Sequence, residues 1–158
     1  MRLPEFESAR LFLPEGFLPV YFSADSILGI GVDICDVSRI AEAINRHHFY
    51  LAQVYTPEEI IYCDSASGIL RAERYAARFA AKEAVGKAIG GMPHRFLDAY
   101  ITKEKDGQPR VELRGEAKEY ADRLGVGNIF LSMSHIRTTA IAFAIAVRKP
   151  AVIDFLQS

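Results

Sequence analysis

Cysteine is scarce in this chain of 158 residues: only Cys35 and Cys63 occur, with no Cys-x-x-Cys pair and no histidine pattern nearby. A disulfide framework and a zinc site are both disfavoured, and the two thiols are expected to be buried or idle, as in a reducing cytosol. Net charge is equally scarce. Nineteen Lys and Arg face twenty Asp and Glu, a formal charge of −1, so nothing draws the whole molecule to nucleic acid or to an anionic membrane. Any basic patch must be local. No apolar run reaches the ~18 residues of a membrane-spanning helix. The first residues carry Glu5 and Glu7 and lack the charged-then-apolar pattern of a secretory signal. The expectation is a cytoplasmic protein with no nucleic-acid and no membrane partner. Internal repeats and low-complexity segments are also missing.

What is present suits one domain of ordinary size: half the residues are hydrophobic and a quarter charged, enough to build a core without staples. Residues 1–26 stand apart. Pro4, Pro14, Gly16 and Pro19 are scattered among Leu, Phe and Tyr with no helical or strand period, so an irregular extension is expected, packed on the domain or on a neighbouring subunit. Residues 27–150 read as the domain and 151–158 as a tail. Ile27–Asp33 reads as a buried strand ending in an acid, and Asp36 as the N-cap of a helix in which Val37, Ile40, Ala41 and Ile44 share one face. The other face, with Arg39, Arg46, His47 and His48, is locally basic. Thr56-Pro57-Glu58-Glu59 is a helix start with a cap, Pro at the first position and Glu at the third. A long helix is expected at about 70–89, ended by Gly90-Gly91 and Pro93. Asp106-Gly107 marks a hairpin, 116–124 a helix, and 128–134 and 138–148 two strands. In the last strand Ile141, Phe143, Ile145 and Val147 alternate with four alanines, so both faces are apolar and an interior position is expected. The alanine face would admit a helix or another subunit. This order of elements, without strict βα alternation, argues an α+β fold.

Three places could carry chemistry. Gly29-Ile30-Gly31 follows a strand, but Ile34 stands where a dinucleotide fingerprint needs its third glycine. The strand instead delivers Asp33, left free because Asp36 already fits the cap. In the long helix Glu83 and Lys87 are four residues apart on one face, with Phe79 before them and Gly90 after. As a surface ion pair they would contribute only about 0.2–0.5 kcal/mol. Asp33 and Glu83 together form a minimal carboxylate set for Mg²⁺, and Lys87 is a suitable point charge for a phosphate. Ser132-Met133-Ser134-His135 ends a strand, and beside such a site His135 could bond a phosphate or a ribose.

Four segments, GIGVDICDVSRI at 29–40, YTPEEIIYC at 55–63, RFAAKEAVGKAIG at 78–90 and SMSH at 132–135, give the chain a resemblance to the holo-acyl-carrier-protein synthases, the small trimeric class of 4′-phosphopantetheinyl transferases. The similarity runs from Leu28 to Val147. It implies a mostly antiparallel sheet packed on a long helix, a single copy of a fold that larger transferases carry twice, and a homotrimer with sites at subunit interfaces. It implies Mg²⁺ on Asp33 and Glu83, and coenzyme A as substrate with its phosphates on Lys87 and His135 and a close approach at Gly90. Arg39 and Phe79 would meet an acidic acyl carrier protein, in keeping with the basic first helix. The reaction implied is attack of a carrier serine on the β-phosphate of coenzyme A, giving holo-carrier and adenosine 3′,5′-bisphosphate. The general base is left open between Glu83 and a metal-bound water.

The chain departs from that family in its first 26 residues, in Val85-Gly86 where a Phe-Ser pair is common, and in Ile136 where a hydroxyl residue usually follows the histidine. None of these touches Asp33, Glu83 or Lys87. Two other classes stay open on sequence: a trimeric binder of coenzyme A without turnover, disfavoured by the intact acid pair, and a metal-dependent nucleotide phosphodiesterase.

Overall fold

A computed structural model of the chain describes residues 26–46, 49–91, 95–103 and 107–149. The expected N-terminal extension (apart from Ser26), the tail at 151–158, and His47, His48, Pro93 and Asp106 lie outside these. The elements run β1 (Ile27–Asp36), α1 (Val37–Arg46), α2 (Tyr50–Val54), α3 (Pro57–Asp64), α4 (Gly68–Ala88), a 3₁₀ turn (Phe96–Asp98), β2 (Ala99–Lys103), β3 (Pro109–Leu113), α5 (Gly115–Arg123), β4 (Val126–His135) and β5 (Thr139–Arg148). Two antiparallel sheets form, one in the order β1-β5-β4 and one of β2 with β3. This is the expected α+β fold, with β5 in the interior position. Among the described residues no helix is long and apolar enough to cross a membrane.

Local chemistry sets the boundaries. Asp36 Oδ1 accepts from the backbone of Ser38 at 2.7 Å and of Arg39 at 3.1 Å, so it caps α1 as expected. β1 runs on to that cap, three residues past Asp33. At α3 the capping box is complete: the Thr56 hydroxyl accepts from Glu59 N, and the Glu59 carboxylate accepts from Thr56 N at 2.9 Å. α4 is 21 residues long and rich in the strong helix formers Ala, Arg, Glu and Lys. It ends in a Schellman motif, with Gly90 N donating to Lys87 O and Gly91 N to Gly86 O. That motif requires the left-handed φ of +81° at Gly90.

α4 lies on β1 and β5 with nothing large between them. A Cβ at Gly31 would sit 1.9 Å from Ala84 O, and one at Gly29 would sit 2.1 Å from Ala88 O. The Gly-x-Gly of β1 is therefore a seat for a helix backbone, which explains two glycines that read as half of a nucleotide motif. Ala140, Ala142, Ala144 and Ala146 of β5 are buried under α4. The opposite face of the sheet is open: Ile30, Val32 and Ile34 of β1, Phe130 of β4, and Ile141 and Phe143 of β5 are all exposed. The alanine face of β5, which sequence left between a helix and a subunit, takes the helix.

A buried ion pair ties the second sheet to α4. Glu59 and Lys82 are fully buried and 2.8 Å apart. Glu59 also accepts from Ile101 N at 3.0 Å, and Lys82 donates to Phe96 O at 2.9 Å and Ala99 O at 2.6 Å. Every polar atom of the pair is occupied, the condition under which buried charges are tolerated. Burial holds the Lys82 ammonium below the usual lysine pKa, an effect Glu59 opposes.

Candidate active site

Strand alternation turns Asp33 to the α4 side of the sheet, and the tight seat of α4 brings Lys87 over it. Lys87 Nζ donates to Asp33 Oδ1 at 2.8 Å and to Val32 O at 2.9 Å. The bland alternative, a Glu83–Lys87 surface pair, is corrected: the lysine reaches back to the strand. Glu83 lies one turn earlier on α4 and lines an open cavity of about 540 Å³ with Gly86, Lys87 and Gly90. Gly91, Arg95 and Phe96 also line it. The volume is that of an ordinary ligand pocket. A Cβ at Gly90 would meet only the Tyr120 hydroxyl, at 3.8 Å, so the space beside it is open, although the Schellman turn alone accounts for this glycine.

Arg39 and Phe79 come together as well. The Arg39 guanidinium carbon lies 5.6 Å from the Phe79 ring centre, and Phe79 stacks on Phe96 at 5.3 Å. This row of cation and two rings joins the exposed surface of α1 to the cavity wall.

His135 does not join this group. It sits two strands and two register steps from Asp33, since both His135 and Cys35 pair with Ala140 while Asp33 and Met133 pair with Ala142. That is on the order of 12 Å between Cα positions. Its Nδ1 lies 3.1 Å from Glu73 Oε2, near the start of α4. Glu73 and Glu83 are ten residues apart, about 15 Å along the helix.

Asp33 and Glu83 suit Mg²⁺, which takes one or two carboxylates and completes its shell with water and substrate phosphate. Among the described residues no cluster of three or more His, Cys, Asp or Glu could cage a metal. Two carboxylates leave the rest of such an ion's shell to water and substrate.

A model of the 4′-phosphopantetheinyl transferase superfamily matches residues 29–144. The chain belongs to this superfamily. The holo-[acyl-carrier-protein] synthase of Moorella thermoacetica is 44% identical over 121 residues, spanning 75% of this chain and 93% of that one. Among solved structures, the holo-ACP synthase of Plasmodium yoelii aligns with a TM-score of 0.70 and 34% identity, over 78% of this chain and 96% of that chain. The Helicobacter pylori synthase in complex with coenzyme A aligns with a TM-score of 0.64 and 30% identity, over 74% and 98%.

For a transferase of this superfamily, two features escaped the sequence reading. One is Glu73, whose partner His135 is 62 positions away. The other is a cationic group around Tyr62: the guanidinium carbons of Arg78 and Arg74 lie 4.1 and 4.6 Å from its ring centre, and Lys103 Nζ lies 5.2 Å away. Burial raises the Tyr62 pKa, but the Lys103 hydrogen bond and the three cations outweigh it, leaving the phenol below its usual value. Arg78 is buried and its Nε has no partner among the described residues. Arg74 and Arg78 stand at i, i+4, a spacing visible in sequence, but the residue they surround is on another helix.

Proposed function

We propose that this chain transfers the 4′-phosphopantetheine group of coenzyme A to a serine of an apo-acyl carrier protein. The serine hydroxyl passes its proton to Glu83 or a water, its oxygen forms a bond to the β-phosphorus, the bond from that phosphorus to the bridging oxygen breaks, and adenosine 3′,5′-bisphosphate leaves. The observation that carries the reading is the Asp33–Lys87 contact beside Glu83 at the mouth of an open cavity. The synthases of M. thermoacetica and H. pylori support it through their names and, for the latter, its coenzyme A.

Asp33 and Glu83 would hold Mg²⁺, which when bound offsets charge on the pyrophosphate. Lys87 supplies a cation at the same place, and its 51% side-chain exposure leaves it accessible to a phosphate. His135 would help hold the phosphates of coenzyme A, and Gly90 would let the ligand approach closely. Arg39, presented on Phe79, would meet the acidic carrier, where complementary charge speeds encounter. Residues 27–150 would form the catalytic domain, with the 1–26 extension outside it.

The assembly would be a homotrimer working in the cytoplasm. Two facts favour it: the open sheet face carries six exposed large apolar side chains, a surface that soluble proteins normally cover, and His135 stands away from Lys87 within one chain. Sites at subunit contacts would let phosphate-holding groups come from two copies.

Intact-mass spectrometry of an apo-carrier incubated with the protein, coenzyme A and Mg²⁺ tests the transfer. One added phosphopantetheine is expected. No change with several carriers, or hydrolysis of coenzyme A without carrier, would contradict it.

A further inference from the structure

His135 lies against Glu73, a residue outside the four segments that carry the family resemblance. Strand alternation points it to the α4 side of β4, and its neighbour on β5 is Ala140, which leaves room for the ring to turn towards the helix. There its Nδ1 meets Glu73 Oε2 at 3.1 Å, with the Glu73 side chain 10% exposed and that of His135 35% exposed. A carboxylate can only accept, so any hydrogen shared across this contact must come from Nδ1. A hydrogen shared there would fix the ring in one tautomer and leave Nε2 for a ligand. The next residue, Ile136, is exposed and has no side-chain donor. Recognition of an anion at this strand exit would therefore fall more heavily on Nε2.

We propose that Glu73 is a positioning residue for His135. It holds Nδ1–H and directs Nε2 at a phosphate ester of coenzyme A. Neutral imidazole with Nδ1–H committed to Glu73 offers only a lone pair at Nε2. The protonated ring keeps Nδ1–H on Glu73 and gives a second N–H to the phosphate, with Glu73 balancing its charge. The ligand half of this proposal rests on the function proposed above; the tautomer half does not.

The test uses the full chain. ¹H–¹⁵N spectra of the imidazoles, with His135 assigned by its loss in His135→Gln, are expected to show the Nδ1–H tautomer when the ring is neutral. Glu73→Ala should return it to the Nε2–H form that free imidazole prefers. Glu73→Gln, which keeps an acceptor oxygen, should retain Nδ1–H. Calorimetric Kd values for coenzyme A should rise about tenfold in Glu73→Ala, the lower end of the loss seen when a metal-binding histidine loses the partner that orients it. His135→Ala should have a similar effect, and the double variant little more than either. Far-ultraviolet dichroism checks that each variant is folded. A wild-type Nε2–H tautomer, an unchanged tautomer in Glu73→Ala, or additive losses of affinity would overturn the proposal. Transfer to a carrier is read separately by mass. A chain with this tautomer and binding pattern but no carrier product would overturn the transfer reading and leave the Glu73–His135 pair standing.

Discussion

Lys87 bridges two elements: its ammonium sits on the Val32 carbonyl and the Asp33 carboxylate while its backbone belongs to α4. Removing it deletes a cation placed where phosphate charge must be held. Lys87→Ala is expected to lower kcat/KM for transfer by about 10²–10³-fold, the range for loss of one preorganised electrostatic group. Its melting temperature should change little, because the Lys87 side chain is half exposed and water can take its place beside Asp33. Steady-state kinetics with a calorimetric scan would separate the two. The cysteines give an independent check at this scale. Cys63 is fully buried, and burial pushes its thiol up to about 11. Cys35 is also buried and raised by burial, an effect the neighbouring Arg39 opposes. Neither thiol should react quickly with a disulfide reagent at pH 8 in the folded protein, and both should react in denaturant.

The elements are positioned by very small residues. Gly31→Ala would place a methyl 1.9 Å from Ala84 O, against backbone on both sides, so α4 must shift. A loss of about 1–3 kcal/mol is expected from such overpacking, measurable by urea unfolding, together with lost transfer as Lys87 leaves Asp33. The Glu59–Lys82 pair is the second fastening. Lys82→Met leaves Glu59 buried without its cation and should cost about 3–5 kcal/mol, and the Phe96 wall of the cavity is freed with it.

How much of this could be read in the chain varied with distance. The Thr56–Glu59 capping box and the Asp36 cap were legible because each closes within three or four residues. The amphipathic face of α1 was legible for the same reason. Gly29 and Gly31 were visible only as a failed nucleotide fingerprint, because the backbone that needs them belongs to α4, more than fifty positions away. Asp33 and Lys87 could be nominated separately, but their contact depends on that same seat. Within one chain His135 lies on Glu73 and away from them, since strand β5 stands between its strand and that of Asp33. No periodicity in the sequence reports that separation.

At the scale of the molecule, one face of the three-stranded sheet is covered by α4, and among the described residues no element covers the other. Ile30, Val32, Ile34, Phe130, Ile141 and Phe143 form an apolar surface on three adjacent strands. If copies of the chain cover it, multi-angle light scattering should give three times the monomer mass. Phe143→Glu should then yield a monomer with unchanged helical dichroism and greatly reduced transfer. A wild-type monomer with full activity would contradict shared sites.

The central claim is that Asp33, Glu83 and Lys87 form the centre of a phosphopantetheinyl transfer site. It is tested most directly by the mass of an apo-carrier after incubation with coenzyme A and Mg²⁺, comparing wild type with Asp33→Ala and Glu83→Gln. Wild type should add one phosphopantetheine, should fail to do so when the metal is chelated, and should recover when Mg²⁺ is restored. Both variants should leave the carrier unmodified while remaining folded. A fully active variant, or transfer that survives chelation, would contradict the account.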